Sequence, residues 1–126
     1  MDLIEFKNKL DNREFWGESS KEMWEAAKLW IEQANTENSL IKWSWDCGLK
    51  LDYDGGICRI SSRFYPPHKN SEEYAKYDGT ISVLIGYETI HKHKIEAETL
   101  DILKNDVEKY VSKIIERIQT NIKAAF

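Results

Sequence analysis

From Ile41 to Tyr53 the chain alternates without a break. Ile41, Trp43, Trp45, Cys47, Leu49, Leu51 and Tyr53 are separated by Lys42, Ser44, Asp46, Gly48, Lys50 and Asp52. Successive side chains of an extended strand point to opposite faces, so this period of two marks a sheet with one packed face and one wet face. Such a sheet is antiparallel and covered on one side only. The cover has to come from the segments before and after it.

Both flanks have the period of helices. Leu3, Ile4, Phe6 and Leu10 give a short amphipathic helix that ends around Asp11-Asn12, and Phe15 and Trp16 anchor the connection that follows. Ser19 with Glu22 is a capping-box pattern ahead of Met23, Trp24, Ala27, Trp30, Ile31 and Ala34, which predicts a second helix over about 20–35. A polar stretch, Asn35 to Ser39, leads out of it. Near the C-terminus Thr99 can cap a helix over about 99–124, with Asp101 well placed for the macrodipole. Its stripe is Leu100, Leu103, Val107, Tyr110, Val111, Ile114, Ile118 and Ile122. At 1.5 Å per residue that helix is about 40 Å long, so its tail is expected to overhang the sheet and offer a surface to a second copy of the chain.

Asp54-Gly55-Gly56 signals a hairpin, because glycine accepts the positive φ that tight turns need. A strand over about 57–65 follows. A Gly55-Gly56 turn sets Tyr53 against Cys58 and Asp52 against Arg59; an Asp54-Gly55 turn shifts the register by two and sets Asp46 against Arg63. Both keep the apolar residues on one face. In either register Cys47 and Cys58 lie beyond disulfide reach, which predicts two free thiols, both on the packed face. Pro66-Pro67 stops the strand, and 66–79 reads as a loop long enough to be functional or mobile. Ile81, Val83, Ile85 and Tyr87 form a third strand. Residues 88–98 either extend it or turn into a fourth.

The expected fold is therefore α+β, a single domain over 1–126. It has two N-terminal helices, a three- to four-stranded antiparallel meander and a long C-terminal helix, with the helices packed on one sheet face. At 126 residues and 41% hydrophobic content the chain can bury its own core without a disulfide or metal, and no apolar run approaches the roughly 20 residues a membrane helix requires. The opening Met1-Asp2-Leu3-Ile4-Glu5 lacks the basic stretch and apolar core of an export signal, which points to the cytoplasm.

Charge narrows the function classes. The net charge is −4, and residues 1–39 hold five basic and nine acidic side chains against eight and seven in 40–95. No segment has the basic excess of a nonspecific nucleic-acid binder. The GxSxG, HExxH, P-loop and GxGxxG signatures are absent from the sequence. His91 and His93 can supply two metal ligands from one strand face, with His68, Cys58 or Glu88 as a third, but the ligand count that structural sites need favours a solvated pair within a lysine-rich turn. The pattern points to no cofactor and no metal.

Two surfaces remain. The N-terminal helices combine Trp16 with Glu18, Glu22 and Glu25, an aromatic ringed by carboxylates that suits a basic protein partner, and the 66–79 loop with Tyr65 and His68 is a second place for such contact. The expectation is a non-enzymatic protein-interaction module, by analogy of class with immunity proteins and phage or mobile-element inhibitors. The alternative is an anion or RNA surface on the open sheet face, built from Lys42, Lys50, Arg59 and Arg63. A weaker alternative is a hydrolase or metal enzyme around His68, His91 and His93.

Overall fold

The computed structural model describes residues 2–16, 20–33, 41–67 and 76–126. Two helices, α1 (Leu3–Asp11) and α2 (Lys21–Glu32), precede five strands: β1 (Ile41–Trp45), β2 (Leu49–Asp54), β3 (Cys58–Tyr65), β4 (Tyr77–Ile85) and β5 (Glu88–Ala97). The chain closes with α3 (Leu100–Ala125). The strands form one antiparallel sheet in the order β1-β2-β3-β4-β5, a meander with one or two strands more than the sequence pattern indicates. The α+β architecture, with two helices before the sheet and a long one after it, is as expected.

One extra strand arises because the alternating segment folds back on itself. Trp45 pairs with Leu49 across the three residues Asp46, Cys47 and Gly48, so what reads as one strand is the hairpin β1–β2. Positions 45 and 49 are both odd, and a three-residue turn therefore leaves the alternation in phase. Periodicity alone cannot see it. The turn is built from left-handed backbone, with φ of 52° at Cys47 and 136° at Gly48. A side chain at Gly48 would also meet the Phe64 carbonyl at 2.9 Å. Cys47 is thus exposed at a hairpin tip, not inside, whereas Cys58 is buried; both are free thiols. Burial pushes the Cys58 thiol far above its ordinary range.

The β2–β3 register is neither of the two expected. Tyr53 faces Ile60 and Leu49 faces Phe64, because the connection spans Gly55 to Ile57 and closes with the Gly55 amide donating to the Cys58 carbonyl at 2.8 Å. The Asp54 carboxylate accepts from the Gly56 amide at 2.9 Å and stabilises the longer turn. The shift is even, so the apolar faces still agree. Strand β4 begins at Tyr77 and shortens the loop read as 66–79, of which residues 68–75 lie outside the described residues. Residues 88–97 are a separate strand, entered through a turn at Gly86-Tyr87.

The packed face carries Leu49, Leu51, Tyr53, Cys58, Ile60, Phe64, Ile81, Val83 and Ile85 against the α3 stripe of Leu103, Val107, Val111, Ile114, Ile115, Ile118 and Ile122. Burial of each such aliphatic side chain is worth about 1.5–3 kcal/mol. The Thr99 hydroxyl caps α3 by accepting from the Ile102 amide at 3.2 Å. The tail of α3 does not project free: its stripe is buried to Ile122, and Phe126 lies 5.9 Å from the Trp24 ring. Helix α1 is capped by Asp2, which accepts from the Glu5 amide at 2.8 Å, and buries Leu3, Phe6 and Leu10 while Ile4 faces solvent. Arg13 ends it with φ of 58°, a turn that lays the guanidinium over Trp24 at 4.2 Å. Ser20 stands at the N-cap of α2 without a side-chain bond, and Ser19 of the capping-box pattern lies outside the described residues. Among the described residues no helix is long and apolar enough to cross a membrane.

Candidate functional site

Three surfaces bring functional side chains together. The first is α2 with the turn before it. Glu22 and Glu25 are exposed there, but Lys21 and Lys28 are exposed on the same helix, and Lys21 approaches Glu25 at 3.8 Å. The tryptophans are engaged internally. Trp16 packs edge-on against Trp24, with centroids 4.8 Å apart at 88°, and against Phe15. Trp30 is fully buried, and its indole N–H donates to the Tyr53 hydroxyl at 2.7 Å. Glu18 and His68 lie outside the described residues.

The second surface is the open face of the sheet. Lys42, Lys50, Arg59, Arg63 and Tyr65 do lie on it together, as the alternation requires. Their charge is largely met. Lys50 pairs with Asp52 at 3.5 Å and Arg63 with Asp46 at 3.6 Å. Arg59 donates to the Gly86 carbonyl at 3.2 Å and stands opposite Asp54. The Arg63–Asp46 pair forms across the β1–β2 tip, not within a continuous ladder, and Asp52 bonds along its own strand rather than to Arg59. A shallow depression of about 350 Å³ runs past Arg59 and Ser61, with Asp52 and Asp54 on its walls. Two carboxylates beside one guanidinium make it a poor anion site.

The third surface is one end of the sheet, where the β1–β2 turn, the roots of the β3–β4 connection and the start of α3 meet. Trp45 is 62% exposed and Tyr65 is 52% exposed. They share this end of the sheet two strands apart: Trp45 pairs with Leu49 and Leu49 with Phe64, the residue before Tyr65. Trp45 sits toward the helices and Tyr65 toward the open face. Ile102, in the first turn of α3, is also exposed. Trp43, one pair inward, is half-buried; its indole donates to Glu108 at 3.0 Å.

The histidines are placed by an irregularity in β5. Leu84 faces Thr89 but Val83 faces His91, so Ile90 is an extra residue, and the bulge switches which side chains of β5 point to the helices. His91 and His93 therefore stand on the helix side, not in a solvated turn. His91 Nε2 shares a hydrogen bond with the Tyr110 hydroxyl of α3, and the His93 ring stacks on Tyr110 with centroids 4.2 Å apart. Burial, then His93, then Arg117 lowers the His91 pKa, and burial raises that of Tyr110. Among the described residues no three His, Cys, Asp or Glu side chains gather as a metal site would require. Tyr110 is the partner that sequence reasoning assigned only to the helix stripe.

Compared with known protein-family models, curated proteins and solved structures, the chain matches none.

Proposed function

We propose that this chain is a protein-binding module whose contact surface is the end of the sheet bearing Trp45 and Tyr65. The observation that carries the reading is the exposure of both rings on hydrogen-bonded strands. Large aromatic side chains dominate binding energy at protein interfaces, and a ring on a rigid element loses little entropy when a partner covers it. The rim adds Asp78, Glu98 and Asp101, none of which makes an ion pair among the described residues, against the cations Lys76 and Lys104, the latter 5.6 Å from the Trp43 ring. That balance suits a basic partner. A small, rigid module of this kind can block its target stoichiometrically, which is the behaviour of inhibitors and immunity-type proteins.

The α2 version of the reading has less support, since its rings are packed against the protein itself. Affinity capture followed by titration with the identified partner separates the two. Trp45→Ala with Tyr65→Ala should weaken that partner by about 30-fold or more, the scale of a hot-spot loss. Glu22→Lys with Glu25→Lys should leave it nearly unchanged. The reverse outcome would move the interface to α2 and contradict the proposal.

A further inference from the structure

Lys109, Lys113 and Arg117 follow one another at four-residue steps along α3, each about 6 Å further along the axis, and so form one row on the helix. The row borders β5. Between them lies an open groove of about 410 Å³, with His93, Tyr110, Lys109 and Lys113 on its walls and Asp106 at one side. That volume falls within the range of small-molecule sites. Lys94, which also borders the groove, is neutralised by Glu96 at 3.2 Å. By contrast Lys109, Lys113 and Arg117 make no ion pair among the described residues. The positive field of Arg117 reaches inward, where it disfavours the charged form of His91.

The groove is lined by three lysines and two carboxylates, and with Lys94 paired to Glu96 it leaves Lys109 and Lys113 facing Asp106. We propose that the β5–α3 groove binds the phosphate chain of a small molecule, with Lys109 and Lys113 contacting its oxygens, Arg117 one turn further along the row adding to the positive field, and the His93–Tyr110 stack forming the wall. Lys109 and Lys113 stand about 6 Å apart along the axis, which matches the reach of a di- or triphosphate rather than a longer polymer. A nucleic-acid strand leaving the groove would meet the excess negative charge of a chain whose net charge is −4. His91 holds the Tyr110 hydroxyl, so the wall is fixed before a ligand arrives.

The test is a titration of the full chain with inorganic triphosphate at low ionic strength, followed by amide chemical shifts. Saturable shifts should centre on His93, Lys109, Lys113 and Arg117, and Lys113→Glu should weaken binding by about tenfold or more. Lys113→Gln, milder at this exposed position, should weaken it less. The same charge reversal at Lys28 of α2 should change nothing. A parallel titration with ATP free of divalent cations tells a ring-bearing ligand, which would bind tighter, from a bare phosphate chain, which would bind equally. The proposal is overturned if Lys28→Glu and Lys113→Glu act alike, if shifts scatter over the surface, or if an RNA oligonucleotide binds where triphosphate does not.

Discussion

At the end of the sheet beside α2, the indoles of Trp16, Trp24 and Trp30 each have a partner within the protein and Tyr87 of the turn is open, whereas at the opposite end the strand residues Trp45 and Tyr65 are exposed. The difference follows from what holds each end together. Helix α2 is short and lies beside the sheet end, so its position depends on a few large contacts: the Trp30 hydrogen bond to Tyr53, the Trp16–Trp24 edge contact and Arg13 over Trp24. The β1–β2 tip is fixed by ladder bonds and by its left-handed turn. Trp45 at the tip and Tyr65 on β3 are left exposed by this arrangement.

The largest effect expected from this contrast is at Trp30. Replacing it with alanine should cost about 3–5 kcal/mol in urea unfolding, through lost burial and the lost hydrogen bond to Tyr53. Trp45→Ala should stay within about 0.5 kcal/mol of the parent. Comparable losses at both positions would erase the distinction between the ends. Next comes Gly55→Ala, whose new methyl would meet the Trp30 indole at 2.5 Å. It should cost about 1–3 kcal/mol, and a double-mutant cycle with Trp30→Leu should recover much of that. A penalty independent of Trp30 would place the strain in the turn instead. Thr99→Ala removes the α3 cap and should cost about 1 kcal/mol at either end's expense equally.

The smallest effect is electrostatic. Because His91 binds a proton less readily when folded than its ordinary value of 6.5, its contribution to stability is intact above that pH. It declines as the pH falls through 6.5 and levels off below the depressed folded value. His91→Gln should flatten that part of the stability profile, and an unchanged slope would assign it to another group.

Much of the fold was legible because burial imposes a period. The three helices, the meander and the polar open face all follow from it. What escaped were one turn that leaves the period untouched and one bulge that reverses it. The turn at Asp46-Cys47-Gly48 keeps odd positions on one face, so Trp45 and Cys47 read as core although they sit at a tip. Gly48, two residues after Asp46, was the signal available there. The bulge at Ile90 does the opposite and reverses the phase, carrying His91 and His93 toward Tyr110. The mixed spacing of Ile90, Ile95 and Ala97 hints at such a reversal, but the pairing with α3 is a matter of three dimensions. For the candidate surfaces, the alternation names the residues of the open face and sets Asp46 and Asp52 against its cations; Arg63 does pair with Asp46, whereas Asp52 pairs with Lys50 and not with Arg59.

Fluorine NMR of the chain labelled with fluorotryptophan, in the presence of a soluble paramagnet, tests the contrast between the two ends most directly. The account predicts that the Trp45 signal broadens strongly while those of Trp30, Trp24 and Trp16 are affected far less, each assigned by single substitution to phenylalanine. A protected Trp45 together with a strongly broadened Trp16 or Trp24 would contradict it and return the candidate interface to the acidic helix.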